Sequence, residues 1–302
     1  MEAYWNEDKI SLLAKHGKSF SFAGAILSKK QLDKAATLYQ VCRILDDTVD
    51  ELPKEQASTQ IASFIQEIEN SEINSKFQLS IKKIIEYGIS RKILKELAIG
   101  VESDLEVSEI EDFSSYMVYC FRVAGSVGLM MNSVLEVKDQ RASFPAIDLG
   151  IAMQCTNICR DILEDAQKGR TYLPKEDLKK VSLSQFDLSQ KGKTPENLKK
   201  IVKKYLDLAD CYYESALDGI SYLPFRARCC VLVAQALYRE IGVKIKESDY
   251  EVLCGRSFLT LKEKIITTLK IIPFLFTKRF WRPLGHNKDL HILLKGFPGV
   301  HE

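Results

Sequence analysis

Ile151-Ala-Met-Gln154-Cys-Thr-Asn157-Ile-Cys-Arg160-Asp161-Ile-Leu-Glu164-Asp165 reads as a helix with no natural place on a protein surface. At about 100° per residue it gathers Gln154, Asn157, Asp161 and Asp165 within an arc of about 80°. The rest is apolar: Ile151, Ala152, Met153, Cys155, Ile158, Cys159, Ile162 and Leu163. A helix with so much apolar surface belongs in the interior, so its polar stripe must face something inside the protein. A buried carboxylate row needs compensating cations or protons. Hard divalent ions answer that need. Mg²⁺, or Mn²⁺ in its place, takes carboxylate oxygens, keeps several waters and bridges to phosphates.

A second stripe lies upstream, in Arg43-Ile-Leu-Asp46-Asp47-Thr-Val-Asp50. Tyr39, Arg43, Asp46 and Asp50 fall within about 60° of one another on a helix. Like charges one turn apart cost a few tenths of a kcal/mol even in water, and more when partly buried. Alone, Asp-x3-Asp also suits a solvated face. Here the helix is apolar on most sides (Leu38, Val41, Cys42, Ile44, Leu45), which argues against full solvation. Two such helices face to face would form a carboxylate cage flanked by Arg43 and Arg160, a site for a diphosphate held through metal ions. Two unrelated ion-pair networks are the structural alternative. A third stretch, Tyr119 to Met131, sets Gly125 and Gly128 in an apolar helix with Tyr119, Val123 and Val127 on one face. A close helix crossing or room for a long hydrocarbon chain would each account for the glycines.

The remaining chain repeats the helical period. Ser28 and Gln31 make a capping-box pattern before Leu32, Ala35, Ala36, Tyr39 and Cys42, and Pro53 closes that helix. Further helices are expected around 61–68, 81–85, 93–98, 111–137 and 145–166, then from Thr194-Pro195-Glu196, from Pro224 to Lys246, and over 259–269. The Ser/Gln/Lys-rich 179–194 segment reads as a surface loop or frayed connection. No alternating run or hairpin signal appears. The expected fold is all-α, one domain over 1–302, with its core at about 10–260 and a basic amphipathic segment at about 262–302.

Composition narrows the function. The formal charge of the 302-residue chain is +2, with 43 Lys+Arg against 41 Asp+Glu, which argues against a nucleic-acid binder. Three of the 4 His lie near the end (His286, His291, His301), so a His-based metal site or a Ser-His-Asp triad is not expected. The 8 Cys form no Cys-x2-Cys pair, and several sit in apolar helical stretches as small hydrophobes. Residues 1–18 lack an apolar signal core, so the expected location is cytoplasmic, with reduced thiols. No run approaches the ~18 uninterrupted apolar residues of a membrane span. The nearest, Ile265 to Phe276, is broken by Lys270 and Pro273.

Lys18-Ser19-Phe20-Ser21-Phe22, Cys42-Arg43 with Asp46-Asp47 and Asp50-Glu51, Tyr119-Cys120-Phe121-Arg122-Val123-Ala124-Gly125, Asn157 with Arg160-Asp161 and Glu164-Asp165, and Gly169-Arg170-Thr171-Tyr172-Leu173-Pro174 occur in this order. Together they resemble the squalene/phytoene synthase family over about residues 10–260. Tyr238 to Ile245 looks like its bacterial phytoene branch. The resemblance implies a class I isoprenoid synthase fold, helices around a central cavity, that joins two prenyl diphosphates head to head. It implies Mg²⁺ held by Asp46, Asp50, Asn157, Asp161 and Asp165, with those carboxylates and Tyr119 as the catalytic set. Ser19, Phe20, Arg43, Gln154, Asn157, Arg160, Tyr238 and Arg256 would bind substrate, and Val123 and Val127 would face its tails. Phe121 departs from the family, which often has a second tyrosine there.

The reaction expected is condensation of two geranylgeranyl diphosphates to phytoene through prephytoene diphosphate. The alternative is a squalene, dehydrosqualene or presqualene diphosphate synthase acting on farnesyl diphosphate. NADPH is not expected in the phytoene branch, and no Gly-x-Gly-x2-Gly turn follows a strand. A terpene cyclase would usually carry Ser and Glu in its second motif, and an inactive scaffold should have lost motif carboxylates. The Lys262 to Arg282 segment mixes Ile, Leu and Phe with Lys and Arg. It suggests peripheral contact at the inner face of a membrane, with an ordinary C-terminal core helix as the alternative. Nothing in the sequence sets an oligomeric state.

Overall fold

Most helices begin where the sequence offers a cap or a proline. The computed structural model describes residues 8–69, 76–106 and 109–300. In α1 (Lys9–His16) the Asp8 carboxylate accepts the Ser11 N–H, and α2 (Lys18–Gly24) follows Gly17. Before α3 (Lys29–Glu51), Ser28 and Gln31 form the expected capping box, and Pro53 separates it from α4 (Lys54–Glu69). Helices α5 (Lys76–Glu86) and α6 (Arg91–Glu106) complete the first half.

The long helix expected over 111–137 is three pieces: α7 (Phe113–Cys120), a π-helical turn (Phe121–Gly125) and α8 (Ser126–Val134). Asp112 caps its start, and Glu136 ends it with a left-handed backbone, φ 61°. By length and composition Phe113–Val134 could cross a membrane, the one such helix among the described residues. Here it runs through the core, burying Tyr116, Met117, Cys120, Phe121, Leu129, Met130 and Val134.

Helix α9 (Ser143–Gln167) is the hub. It packs on α8 and the π-helical turn, then on α11 (Gln185–Ser189), α12 (Glu196–Asp218) and α13 (Phe225–Glu247). Helix α10 (Lys175–Lys180) precedes α11, while α14 (Leu261–Lys270) and α15 (Lys278–Trp281) follow α13. Two apolar clusters result. One centres on α9, α12 and α13; the other joins α3, α4, α5 and α6 to Met130 and Val134 of α8. Met131 packs against both. Among the described residues the only β contact is an isolated bridge between Glu109 and Thr171.

Two local readings change. The 179–194 segment is not all loop: α10 reaches Lys180, and a Ser184–Asp187 capping box starts α11, which buries Leu188. The Thr194 hydroxyl does not cap α12; it accepts the N–H groups of Val252 and Leu253.

Candidate active site

Four helices contribute stripes to one cavity of about 370 Å³. Helix α9 gives Pro145, Ala146, Leu149, Gly150, Met153, Gln154 and Asn157. The repeat of three and four is that of a single helix face. The π-helical turn and α8 give Val123, Ala124, Val127, Gly128 and Met131 in the same rhythm. Helix α3 adds Ala35, Leu38, Tyr39, Cys42 and Asp46, and α13 adds Val231, Ala234, Gln235 and Tyr238. Asp46, Gln154, Asn157 and Tyr238 contribute polar groups to its wall, Asn157 Nδ2 donating to Gln154 Oε1 at 3.4 Å; Val123, Val127 and Phe20 line the same cavity.

Of the two glycines read from the sequence, Gly128 serves both purposes, whereas Gly125 packs on Phe121 and Ile147 and does not line the cavity; Gly150 behaves as Gly128 does. A Cβ on Gly128 would overlap the Ala146 carbonyl, and one on Gly150 the Ala124 carbonyl. These contacts bring α9 against the π-helical turn and α8, and the same two glycines face the cavity. The π-helical turn itself donates the Ser126 N–H to the Phe121 carbonyl, inserting an extra residue. Tyr119 consequently meets Asp104 and Tyr172, while Val123 and Val127 face the cavity.

The carboxylates are unequally paired. Asp46 lies within the fold, but its side chain is exposed to the cavity it lines. Burial pushes its carboxyl up to about 7, opposed by Arg43 and reinforced by Asp104, Asp47 and Asp50. Burial likewise pushes Asp165 to about 7, with Asp161 adding repulsion. Asp50 behaves otherwise. Burial would raise it, but Arg170 Nη1 at 2.5 Å and Lys168 Nζ at 3.3 Å hold it below the usual carboxylate range. Asp161 sits between Arg160 (2.8 and 2.6 Å) and Arg256 (2.9 Å).

Arg43 is turned away from the expected stripe. It grips the buried Asp47, Nε to Oδ2 at 2.9 Å and Nη2 to Oδ1 at 2.5 Å. Ser19 is half-buried beside Phe20, whose ring lies 4.9 Å from that of Tyr238.

Three residues not singled out for roles in the sequence reading belong here. Asp104 on α6 accepts the hydroxyls of Tyr172 (3.0 Å) and Tyr119 (3.4 Å), whose rings stack at 4.9 Å. Burial lifts Asp104 to about 6 against the pull of Arg170. Arg170 thus joins the two aspartate helices, bonded to Asp50 and felt by Asp104 and Asp165. Its motif Gly169-Arg170-Thr171-Tyr172 was the available signal.

The donor set fits a hard divalent ion. Asp46 and Asp165 repel their neighbours without one, and Asn157 Oδ1 on the same face is buried without a hydrogen-bond partner. A second group, Asp148, His286 and His291, also brings ligating atoms within 4.8 Å of one another. Its imidazoles are already committed: His291 Nε2 lies 2.6 Å from Asp148 Oδ1 and His286 Nε2 2.7 Å from Oδ2. Those are hydrogen-bond distances, so Asp148 is satisfied by the two Nε2 atoms without an ion, while Nδ1 of each ring is buried without a partner.

Comparison with known proteins agrees with this architecture. The chain is 29% identical over 289 residues to a 15-cis-phytoene synthase of Enterobacter agglomerans, covering 90% of this chain and 97% of that one. It is 30% identical over 276 residues to a phytoene synthase of Pseudescherichia vulneris, covering 84% and 86%. Among solved structures, a dehydrosqualene synthase in complex with ligand superposes with a TM-score of 0.78 at 25% identity, covering 88% of this chain and 95% of that one. Squalene synthase HpnC from Alicyclobacillus acidocaldarius shares the fold, with a TM-score of 0.70 at 17% identity and coverage of 80% and 95%. The squalene/phytoene synthase profile matches residues 13–263, and the chain belongs to that family of all-α prenyltransferases.

Proposed function

We propose that the protein condenses two geranylgeranyl diphosphates head to head, giving phytoene through prephytoene diphosphate. One observation carries this reading: the unbroken α9 stripe from Asn157 down to Pro145. Its thirteen residues, twelve helical steps, rise about 18 Å. An extended C20 prenyl chain, at ~1.25 Å of rise per bond for C–C bonds of about 1.5 Å, spans about 19 Å; a C15 chain spans about 14 Å. Likeness to bacterial phytoene synthases gives independent support.

Asp46 and Asp50 on α3, with Asn157, Asp161 and Asp165 on α9, would hold Mg²⁺. The bound ion would supply charge neutralisation on the leaving diphosphate. Arg160, Arg170 and Arg256 surround the carboxylate rows and would bind diphosphate oxygens as those rows are taken up. In the reaction, the allylic C–O bond of one substrate breaks and diphosphate leaves with the electron pair. The double bond of the second substrate attacks the resulting carbon, and loss of a proton closes a cyclopropane. The cyclopropyl diphosphate ionises in turn, rearranges and loses a second proton to become phytoene. The apolar walls from Val123 to Met131 and from Pro145 to Met153 exclude water from these cations. Asp104 orients Tyr119 and Tyr172 beside the reacting end.

The test is incubation of purified protein with Mg²⁺ and either geranylgeranyl or farnesyl diphosphate, with and without NADPH, followed by mass spectrometry of extracted lipids. The expected product is a forty-carbon hydrocarbon formed without NADPH. A thirty-carbon product alone would overturn the chain-length assignment.

A further inference from the structure

Helix α14 is amphipathic the wrong way round for a surface in water. It buries Lys264 and Thr267 and exposes Leu261, Ile265, Ile266 and Leu269. Lys264 Nζ is spent on the Lys18 carbonyl at 3.1 Å, and Thr267 Oγ1 is buried without a partner. The apolar exposure continues through Ile272, Phe276 (84% exposed) and Trp281. Of the fifteen large apolar side chains exposed among the described residues, nine lie between Phe258 and Leu284. A patch so concentrated marks an interaction surface.

Its charge indicates the partner. Between Phe258 and Leu284 stand Lys262, Lys264, Lys270, Lys278, Arg279 and Arg282 against Glu263 alone, in a chain whose net charge is only +2. Lys262, Lys270, Lys278 and Arg282 are exposed around the apolar residues, Lys270 being paired with Glu240 at 3.0 Å, while Arg279 is paired with Glu214 and Asp218. A two-fold contact would press this basic patch against its own copy, which electrostatics opposes. A lipid surface with anionic headgroups satisfies both features, apolar side chains entering the acyl boundary and cations remaining at the headgroups. We infer that the exposed face of α14, extended through Phe276 and Trp281, docks the protein peripherally on an anionic lipid bilayer.

The location suits a lipid enzyme. The Lys264–Lys18 contact ties α14 to α2, which supplies Phe20, Ala23 and Gly24 to the cavity wall. Docking there would bring that wall beside the bilayer that dissolves a long apolar product. This last point rests on the reaction proposed above; docking does not, and a vesicle assay needs no turnover.

The full chain would be sedimented with vesicles of phosphatidylcholine alone and of phosphatidylcholine mixed with phosphatidylglycerol. The wild type should partition at least tenfold more strongly to the anionic vesicles, and added salt should weaken it. Leu261→Ser/Leu269→Ser/Phe276→Ser and, separately, Lys262→Gln/Lys278→Gln/Arg282→Gln should each lower partitioning about tenfold with unchanged thermal melts. If the apolar variant misfolds, the charge variant alone decides. Wild-type partitioning in the folded variants, equal binding to neutral vesicles, or no binding to either would overturn the inference. So would a vesicle-independent dimer that the apolar variant dissociates.

Discussion

Helix α9 carries carboxylates at both ends, buried near its start and half-buried near its finish, and treats them oppositely. Near its start, Asp148 is fully buried and saturated: it accepts His291 Nε2 at 2.6 Å, His286 Nε2 at 2.7 Å and the Ser215 hydroxyl at 2.6 Å. Burial alone would raise its pKa, but the two imidazoles pull it below the usual range. About 20 Å further along the helix stand Asp161 and Asp165, with Arg170, felt by Asp165, bonded to Asp50 of the other aspartate helix. There Asp165 is lifted to about 7, and Asn157 Oδ1 has no partner. A carboxylate kept for structure is given its counter-charges by the chain itself. In the α3 and α9 rows Asp46 and Asp165 are left short of positive charge, the condition under which a metal–diphosphate complex would complete them.

The sharpest way to break this contrast is to neutralise one member of each end. Asp161→Asn should lower turnover on the order of 10³-fold, read by product formation under saturating Mg²⁺, with a melt close to that of the wild type. Near-normal turnover would remove Asp161 from the site. Asp148→Asn should do the reverse, costing about 3 kcal/mol of stability in a denaturant titration while the folded fraction keeps its turnover. The pH dependence follows the sign of the shift. Because the folded pKa of Asp148 is depressed, its contribution is present above about pH 4 and lost as pH falls through the folded value. Asp148→Asn should therefore flatten the fall in stability between about pH 5 and pH 3. An unchanged slope would mean that the cluster is not a charge pair.

The smallest effect is expected at Tyr172. Removing its hydroxyl from Asp104 with Tyr172→Phe should slow turnover about fivefold, the rate equivalent of roughly 1 kcal/mol. A loss as large as that of Asp161→Asn would place Tyr172 in the bond-breaking step rather than in positioning.

The α9 row was legible because burial of an apolar helix leaves its polar stripe no other direction, and the α3 row because Asp46 and Asp50 repeat on an apolar helix. Capping residues made Ser28 and Pro53 reliable boundaries, and Ser184 with Asp187 carried the same signal inside a stretch read as loop. The π-helical turn was not legible. The tight packing of Gly150 on Ala124 that accompanies it is a tertiary contact, without a local signature. Asp104 looks like an ordinary surface acid beside Glu102 until folding brings it to Tyr119 and Tyr172. The tail histidines sit 138 and 143 residues from Asp148, a separation no spacing rule reaches.

The central claim is that the two rows become complete only with metal and diphosphate. Its most direct test is the thermal shift produced by Mg²⁺ with inorganic diphosphate on wild type, Asp161→Asn and Asp148→Asn. The wild type should gain several degrees and Asp161→Asn almost none, while Asp148→Asn should start lower and gain as much as the wild type. A full shift in Asp161→Asn, or a shift lost only in Asp148→Asn, would contradict the account.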